Sequence, residues 1–199
     1  MSTTASNIYR YEIYRFVYVS CIDQYSRRHF RGMTATAWNH LIRREFRDGD
    51  ADAIAGLHRR VYVPEFGMND EFVARVAAGV EAAVAGGWPD ASGAAWLVER
   101  HDSVCGSLAL TDEGDGLGRV RWFVLEDSLR GRGLGRSLVA ELVARARMDG
   151  YRRLELETFS ALTVAAAIYR DAGFKVIRER EREDWGPPIV YQHYALPLD

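Results

Sequence analysis

Residues 129–139 read LRGRGLGRSLV, with Gly131, Gly133 and Gly135 set among Arg130, Arg132 and Arg136. Glycine is a poor residue with which to start a helix. Yet a helix follows, because Leu134, Leu138 and Leu142 recur one turn apart, Val139, Val143 and Ala146 widen that stripe, and Gly150 ends it. Upstream, residues 118–127, GRVRWFVLED, read as a strand. The stretch is therefore a strand, a glycine turn and a helix. Backbone without Cβ atoms lets several N–H groups converge on one anion, and the helix start adds about half a positive charge. The three arginines can add charge-assisted bonds to phosphate oxygens. A dinucleotide fingerprint fails, since the position of its third glycine holds Arg136, and a P-loop fails for want of a nearby lysine. What remains is R-x-x-G-x-G from Arg130 to Gly135, read as a pyrophosphate cradle. The blander reading is a turn chosen only for tight packing, which the arginines disfavour.

The 199 residues suffice for one well-cored domain plus an appendage. A net charge of −2 argues against nucleic-acid binding by bulk electrostatics. No apolar run reaches the roughly 18 residues that span a bilayer. Cys21 and Cys105 match no metal or redox spacing, so no metal site and a reducing, cytoplasmic location are expected. The basic residues are 25 Arg against one Lys, Lys175, which points to a GC-rich bacterial genome.

Residues 1–32 differ from the rest: they carry five Arg against Glu12 and Asp23 and hold one alanine, Ala5. We expect residues 1–37 to be an N-terminal basic and aromatic extension, either a disordered arm or a start assigned upstream of Met33, and residues 38–199 to be the domain. Within it, residues 41–47 read as a strand, and DGDADAIAGLHRRVY opens a helix after an Asp cap. A second helix, from about Asp70 to Ala85, stops at Gly86 and Gly87. AAWLVER and VCGSLALT form a hairpin around Asp102 and Ser103. After the glycine helix come the strand RRLELET, the helix ALTVAAAIYRDAG, and the strands FKVIRERER and PIVYQHYAL. The order is β-α-α-β-β-β-α-β-α-β-β, an α+β fold with a mixed, mostly antiparallel central sheet and helices on both faces.

Two motifs in order, R-x-x-G-x-G and then A-x-x-x-Y-x-x-x-G-F (Ala165, Tyr169, Gly173, Phe174), with Tyr169 39 residues after Arg130, resemble the GCN5-related N-acetyltransferase (GNAT) superfamily. The sequence is similar to the acetyltransferase half of bacterial fusions with MarR-type DNA-binding domains, over roughly Leu41 to Asp199. The resemblance implies acetyl-CoA as co-substrate and a primary amine, on a small molecule or a peptide, as acceptor. It implies that pantetheine pairs with the backbone of Phe123, Val124 and Leu125 like an added strand. The amides of Gly131, Arg132, Gly133, Leu134, Gly135 and Arg136, with Arg130 beside them, would hold the pyrophosphate. The N–H of Leu125, or one adjacent, would polarise the thioester carbonyl.

Tyr169 stands where such enzymes keep the proton donor for the departing thiolate, and Glu157, twelve residues earlier, is similar to the base of the acetyltransferase that modifies a ribosomal protein's N-terminal amine. Their blander readings are a core aromatic and a solvated strand-end charge. In the histone-type branch the base lies on the preceding strand, where this chain has Arg119. The Asn usual seven residues before the tyrosine is Leu162 here. Among other residues, His193 reads as a structural imidazole and Glu126 with Asp127 as caps of the glycine turn. The alternating charges of residues 178–184 read as strand-edge salt bridges, and Trp185 as a rim residue of the acceptor cleft.

No Cys is activated, so direct attack in a ternary complex is expected. Two other readings stay open: a catalytically inactive acyl-CoA-binding regulatory module, and a partner-binding domain using Arg27, Arg28 and Arg31. A homodimer through the final strand is a further expectation.

Overall fold

The structure, a computed structural model, describes residues 41–89 and 92–198. The expectations for residues 1–37 lie outside the described residues. The first strand, β1 (Ile42–Arg43), is shorter than the expected 41–47. Its side chains explain why. The Arg43 guanidinium binds both oxygens of Asp50 at 2.7 Å and Glu99 at 2.7 Å, and the Arg47 N–H donates to Asp50 at 2.6 Å, so the chain turns at once toward the next helix. That helix, α1 (Asp50–Phe66), follows Gly49 in the left-handed region with no side-chain cap. The expected Asp cap is therefore absent, because Asp50 faces back to Arg43. The next, α2 (Asp70–Ala85), is capped by the Asn69 side chain, which accepts from the Phe72 N–H at 3.0 Å.

Then come β2 (Ala94–Arg100) and β3 (Ser103–Asp112). They are joined by His101 and Asp102, both at positive φ (48° and 59°) as a two-residue hairpin requires, so the turn lies one residue earlier than expected. Next are β4 (Leu117–Leu125), α3 (Leu134–Met148), β5 (Arg153–Phe159), α4 (Thr163–Asp171), β6 (Lys175–Arg182) and β7 (Ile189–Pro197). The apolar stripe read from the sequence is the buried face of α3: Leu134, Leu138, Val139, Leu142, Val143 and Ala146.

The seven strands run in the order β1-β2-β3-β4-β5-β7-β6, antiparallel except for β4 with β5. Helices cover both faces. Trp96 donates its indole N–H to Glu141 of α3 at 2.6 Å, while its neighbour Leu97 packs with Ile54, Leu57 and Val61 of α1. Accordingly β3 is buried from Val104 to Thr111 without interruption. The final strand is not exposed, contrary to expectation. β7 inserts between β5 and β6, so β6 is the edge strand at this end of the sheet. Among the described residues no helix is long and apolar enough to cross a membrane.

One feature positions the site. β4 pairs with β5 only from Leu117↔Arg153 to Val120↔Leu156, although both strands continue. Beyond Val120 the strands part. On its other side β4 stays paired with β3, but the register slips between Ser107 and Ala109, so Trp122 and Phe123 together oppose Leu108. Trp122 has φ +47°, and its carbonyl accepts from the Ser107 hydroxyl at 2.6 Å. This bulge bends the second half of β4 away from β5.

Candidate active site

The glycine turn follows β4 through a short 3-10 turn (Asp127–Leu129). Gly131 and Gly133 have φ of +73° and +83°, which side chains other than glycine rarely adopt, and a Cβ at either would meet nothing within 4 Å. Among the described residues, the amides of residues 131–136 donate to no carbonyl or side chain, and the first helical bond runs from Ser137 to Gly133. These are the orphan donors of a helix start, left open to one side. Gly135 differs: its Cβ would lie 3.1 Å from Ile168 and 3.3 Å from Phe123, so it serves close packing. Leu134 is buried, leaving its amide as its available polar group.

The arginines part company. Arg132 is exposed and makes no ion pair among the described residues, while Arg136 approaches Asp171 at 3.2 Å on the surface. Arg130 corrects the sequence reading. Its guanidinium grips Glu65 of α1 through two bonds of 2.7 and 3.0 Å, and its Nε donates to the Leu125 carbonyl at 2.8 Å. Its own N–H donates to Asp127. A bidentate carboxylate and a carbonyl use the fork that was expected to face phosphate; Arg130 is a tether. Glu126 is another correction, for it faces Arg60 of α1 at 3.3 Å rather than capping the turn. In the open half of β4, the Phe123 carbonyl accepts from the Tyr62 hydroxyl at 3.3 Å. Phe123 and Leu125 thus already carry one side-chain donor each, with a second lone pair free, while Val124 is paired with Ser107.

Where β4 and β5 part lies a cavity of about 740 Å³, roofed by α2. Tyr169 and Glu157, expected from sequence to act together, both line it. Tyr169, at the end of α4, is 5% exposed and set among Phe123, Phe174 and Tyr194 at ring distances of 5.9–6.0 Å. Its hydroxyl makes no hydrogen bond among the described residues, and burial pushes its pKa well above the ordinary phenol value. Glu157 accepts from the Tyr191 hydroxyl at 3.2 Å. Burial first, then the charge of Glu157, pushes Tyr191 up to about 12. Trp185, read as a rim residue, is instead buried in the cavity wall, 5.6 Å from Phe72 and 5.4 Å from Tyr191, with the Arg182 guanidinium 4.0 Å above its ring. Of the salt bridges expected in residues 178–184, Arg182 with Asp184 forms among the described residues; Arg180 instead lies over Tyr191 at 5.2 Å. His193 is the expected structural imidazole, 2.9 Å from Glu155.

The sequence reading missed His58, Tyr62 and Trp122. His58 lines the cavity, stacks on Tyr62 at 5.5 Å, and donates from Nδ1 to the Ile54 carbonyl at 2.8 Å in its neutral form. Burial lowers its pKa to about 4, so it is uncharged at neutral pH. A signal existed: a histidine sits on the apolar stripe Ile54, Leu57, Val61, Tyr62. Nothing in the sequence marks the bulge at Trp122.

Comparison with known proteins gives three findings. Residues 56–174 match the model of the Acetyltransferase (GNAT) family. Over 95 residues the chain is 34% identical to an IAA acetyltransferase of Azospirillum brasilense, a match covering 46% of this chain and 58% of that protein, so the chain spans little more than half the relative's length. Among solved structures, the ribosomal-protein-alanine N-acetyltransferase of Brucella melitensis superposes with TM-score 0.61 at 18% identity, over 79% of this chain and 99% of that one. A GNAT phosphinothricin acetyltransferase of Sinorhizobium meliloti, solved in complex with AcCoA, gives 0.60 at 19%, over 79% and 87%. At such identities the structures speak to the fold.

Proposed function

The chain belongs to the acetyltransferase (GNAT) family, and on that premise we propose that it transfers an acetyl group from acetyl-CoA to a primary amine by direct attack in a ternary complex. One observation carries the reading. The bared amides of residues 131–136 lie just past the strand end at which β4 parts from β5, and Tyr169 and Glu157 line the cavity so opened.

The residues present fit the ligand. The amides of 131–136 and the free guanidinium of Arg132 are suited to a diphosphate. The edge of β4 that faces away from β3, with the N–H groups and second carbonyl lone pairs of Phe123 and Leu125 on either side of Val124, is suited to an extended amide-bearing arm. Acetyl-CoA, when bound, supplies a thioester whose carbonyl carbon is the electrophile. The N–H at Leu125, or one beside it, stabilises the charge that grows on the carbonyl oxygen, a contribution of about 3 kcal/mol for such donors. Glu157 accepts the proton that the amine sheds as its C–N bond forms and the C–S bond breaks. Tyr169 offers its hydroxyl proton to the departing sulfur. Burial holds that proton firmly, which disfavours transfer to a thiolate of ordinary pKa near 8.5. The same desolvation raises the pKa of the thiol, narrowing the mismatch.

The test is thiol release from acetyl-CoA over a panel of amines, amino acids and peptides, with initial-rate patterns in both substrates. Intersecting patterns and thermal stabilisation by CoA are expected. Parallel, ping-pong patterns would remove direct attack. Absence of both thiol release and stabilisation would remove the whole reading.

A further inference from the structure

Arg119 has no place in the chemistry above. It stands on β4 two residues before Arg121, so the two share a face of the sheet, and both line the cavity. The Arg119 side chain is only 22% exposed, its Nε is buried, and among the described residues it makes no hydrogen bond. The nearest carboxylate oxygens are Glu113 at 3.7 Å and Glu155 at 3.8 Å, beyond bonding distance. Both acids are better engaged elsewhere. Glu113 binds Arg121 at 2.9 Å and accepts from the Thr111 hydroxyl at 3.0 Å, and Glu155 binds Arg153 and His193, each at 2.9 Å. The Nε of Arg121 is also buried without a partner. A guanidinium has five donors; Arg119 faces its two carboxylates electrostatically but hydrogen-bonds neither, and a buried N–H left unbonded is costly. The cavity wall thus holds guanidinium donors to spare.

Glu157 lies two residues beyond Glu155, the β5 partner of Arg119, and on the same face of the sheet. One strand repeat, about 7 Å, therefore separates a cationic position from an acidic one. Phe72, Trp122 and Trp185 add aromatic rings to the same wall, which Arg182 and Asp184 also line. We propose that Arg119, assisted by Arg121, is the subsite for a carboxylate carried by the acceptor. The acceptor is then an amino acid whose amine faces Glu157 and whose apolar or aromatic body packs on those rings. This rests on the acetyl-transfer reading and narrows its acceptor.

The experiment compares phenylalanine with phenethylamine and tryptophan with tryptamine as acceptors, in wild type and Arg119→Gln. N-acetylphenylalanine binding to the CoA-loaded protein is measured alongside by calorimetry. The expected result is a kcat/KM at least tenfold higher for each amino acid than for its decarboxylated partner. R119Q should raise the amino-acid KM tenfold or more while leaving the plain amine unchanged, which also shows the variant to be folded. Equal or better use of the plain amines, with a ratio unmoved by R119Q, overturns the subsite and leaves acetyl transfer standing. Turnover of no acceptor, with N-acetylphenylalanine still bound tenfold more tightly by wild type than by R119Q, overturns acetyl transfer and keeps the subsite.

Discussion

The two halves of β4 make different use of one strand. From Leu117 to Val120 it is paired on both sides, and a Cβ on Gly118 would strike Leu154 at 2.8 Å and Leu110 at 2.9 Å. From Arg121 to Leu125 it is paired with β3 alone and is broken by the Trp122 bulge, and Arg121, Trp122 and Phe123 face a cavity where β5 would otherwise lie. The closed half holds the sheet together; the open half gives up ladder bonds to expose backbone. Substitutions should therefore separate into those that cost stability and those that cost activity.

The largest effect is expected across the cavity that the open half borders, at Tyr169 of α4. Tyr169→Phe should lower kcat by two to three orders of magnitude, about 3–4 kcal/mol of barrier, and hardly move the melting temperature, because among the described residues the hydroxyl makes no hydrogen bond. A melt displaced by several degrees would show Tyr169 to be structural and erase the contrast. Next is acid sensitivity on the cavity side. His58 titrates near 4 when folded, against 6.5 as its ordinary value. Between those pH values the unfolded chain binds the extra proton, so stability falls as pH drops from 6.5 toward 4, by roughly 3 kcal/mol in all. Above 6.5 neither state is charged and nothing is lost. Urea unfolding across that range measures the decline, and His58→Gln should flatten it.

In the closed half the signature reverses. Gly118→Val should destabilise by about 2 kcal/mol through overpacking, a fall of roughly 4–8 °C, while kcat per folded molecule stays within a factor of two. The smallest effect is expected where the open half feeds the glycine turn. Gly133→Ala fits sterically but must hold φ near +83°, costing about 1 kcal/mol, with a matching weakening of CoA affinity in a titration.

What the sequence disclosed was local. The stripe of α3, the Gly86 and Gly150 stops, the two-residue hairpin and the bared amides each depend on a few adjacent residues, and all stand nearly where their pattern places them. What it concealed depends on distant partners. Arg130 looks like a phosphate ligand until Glu65, 65 residues earlier, is seen to occupy it. β1 looks seven residues long until Asp50 is seen to hold both the Arg43 side chain and the Arg47 N–H and so turn the chain after Arg43. The last strand looks like an edge because chain order says nothing of its insertion between β5 and β6. Arg119 was visible as a departure from one catalytic pattern, but its want of a hydrogen bond emerges only when Glu113 and Glu155 are found bonded more closely elsewhere.

The Arg130 tether has a practical consequence. One side chain ties the last turn of α1, the terminal carbonyl of β4 and the glycine loop into a single piece. The loop's glycines set its turn, but its anchorage lies outside it. Anyone transplanting LRGRGLGRSLV into a new scaffold would have to bring a carboxylate equivalent to Glu65 along with it, or the grafted peptide would arrive without its anchor.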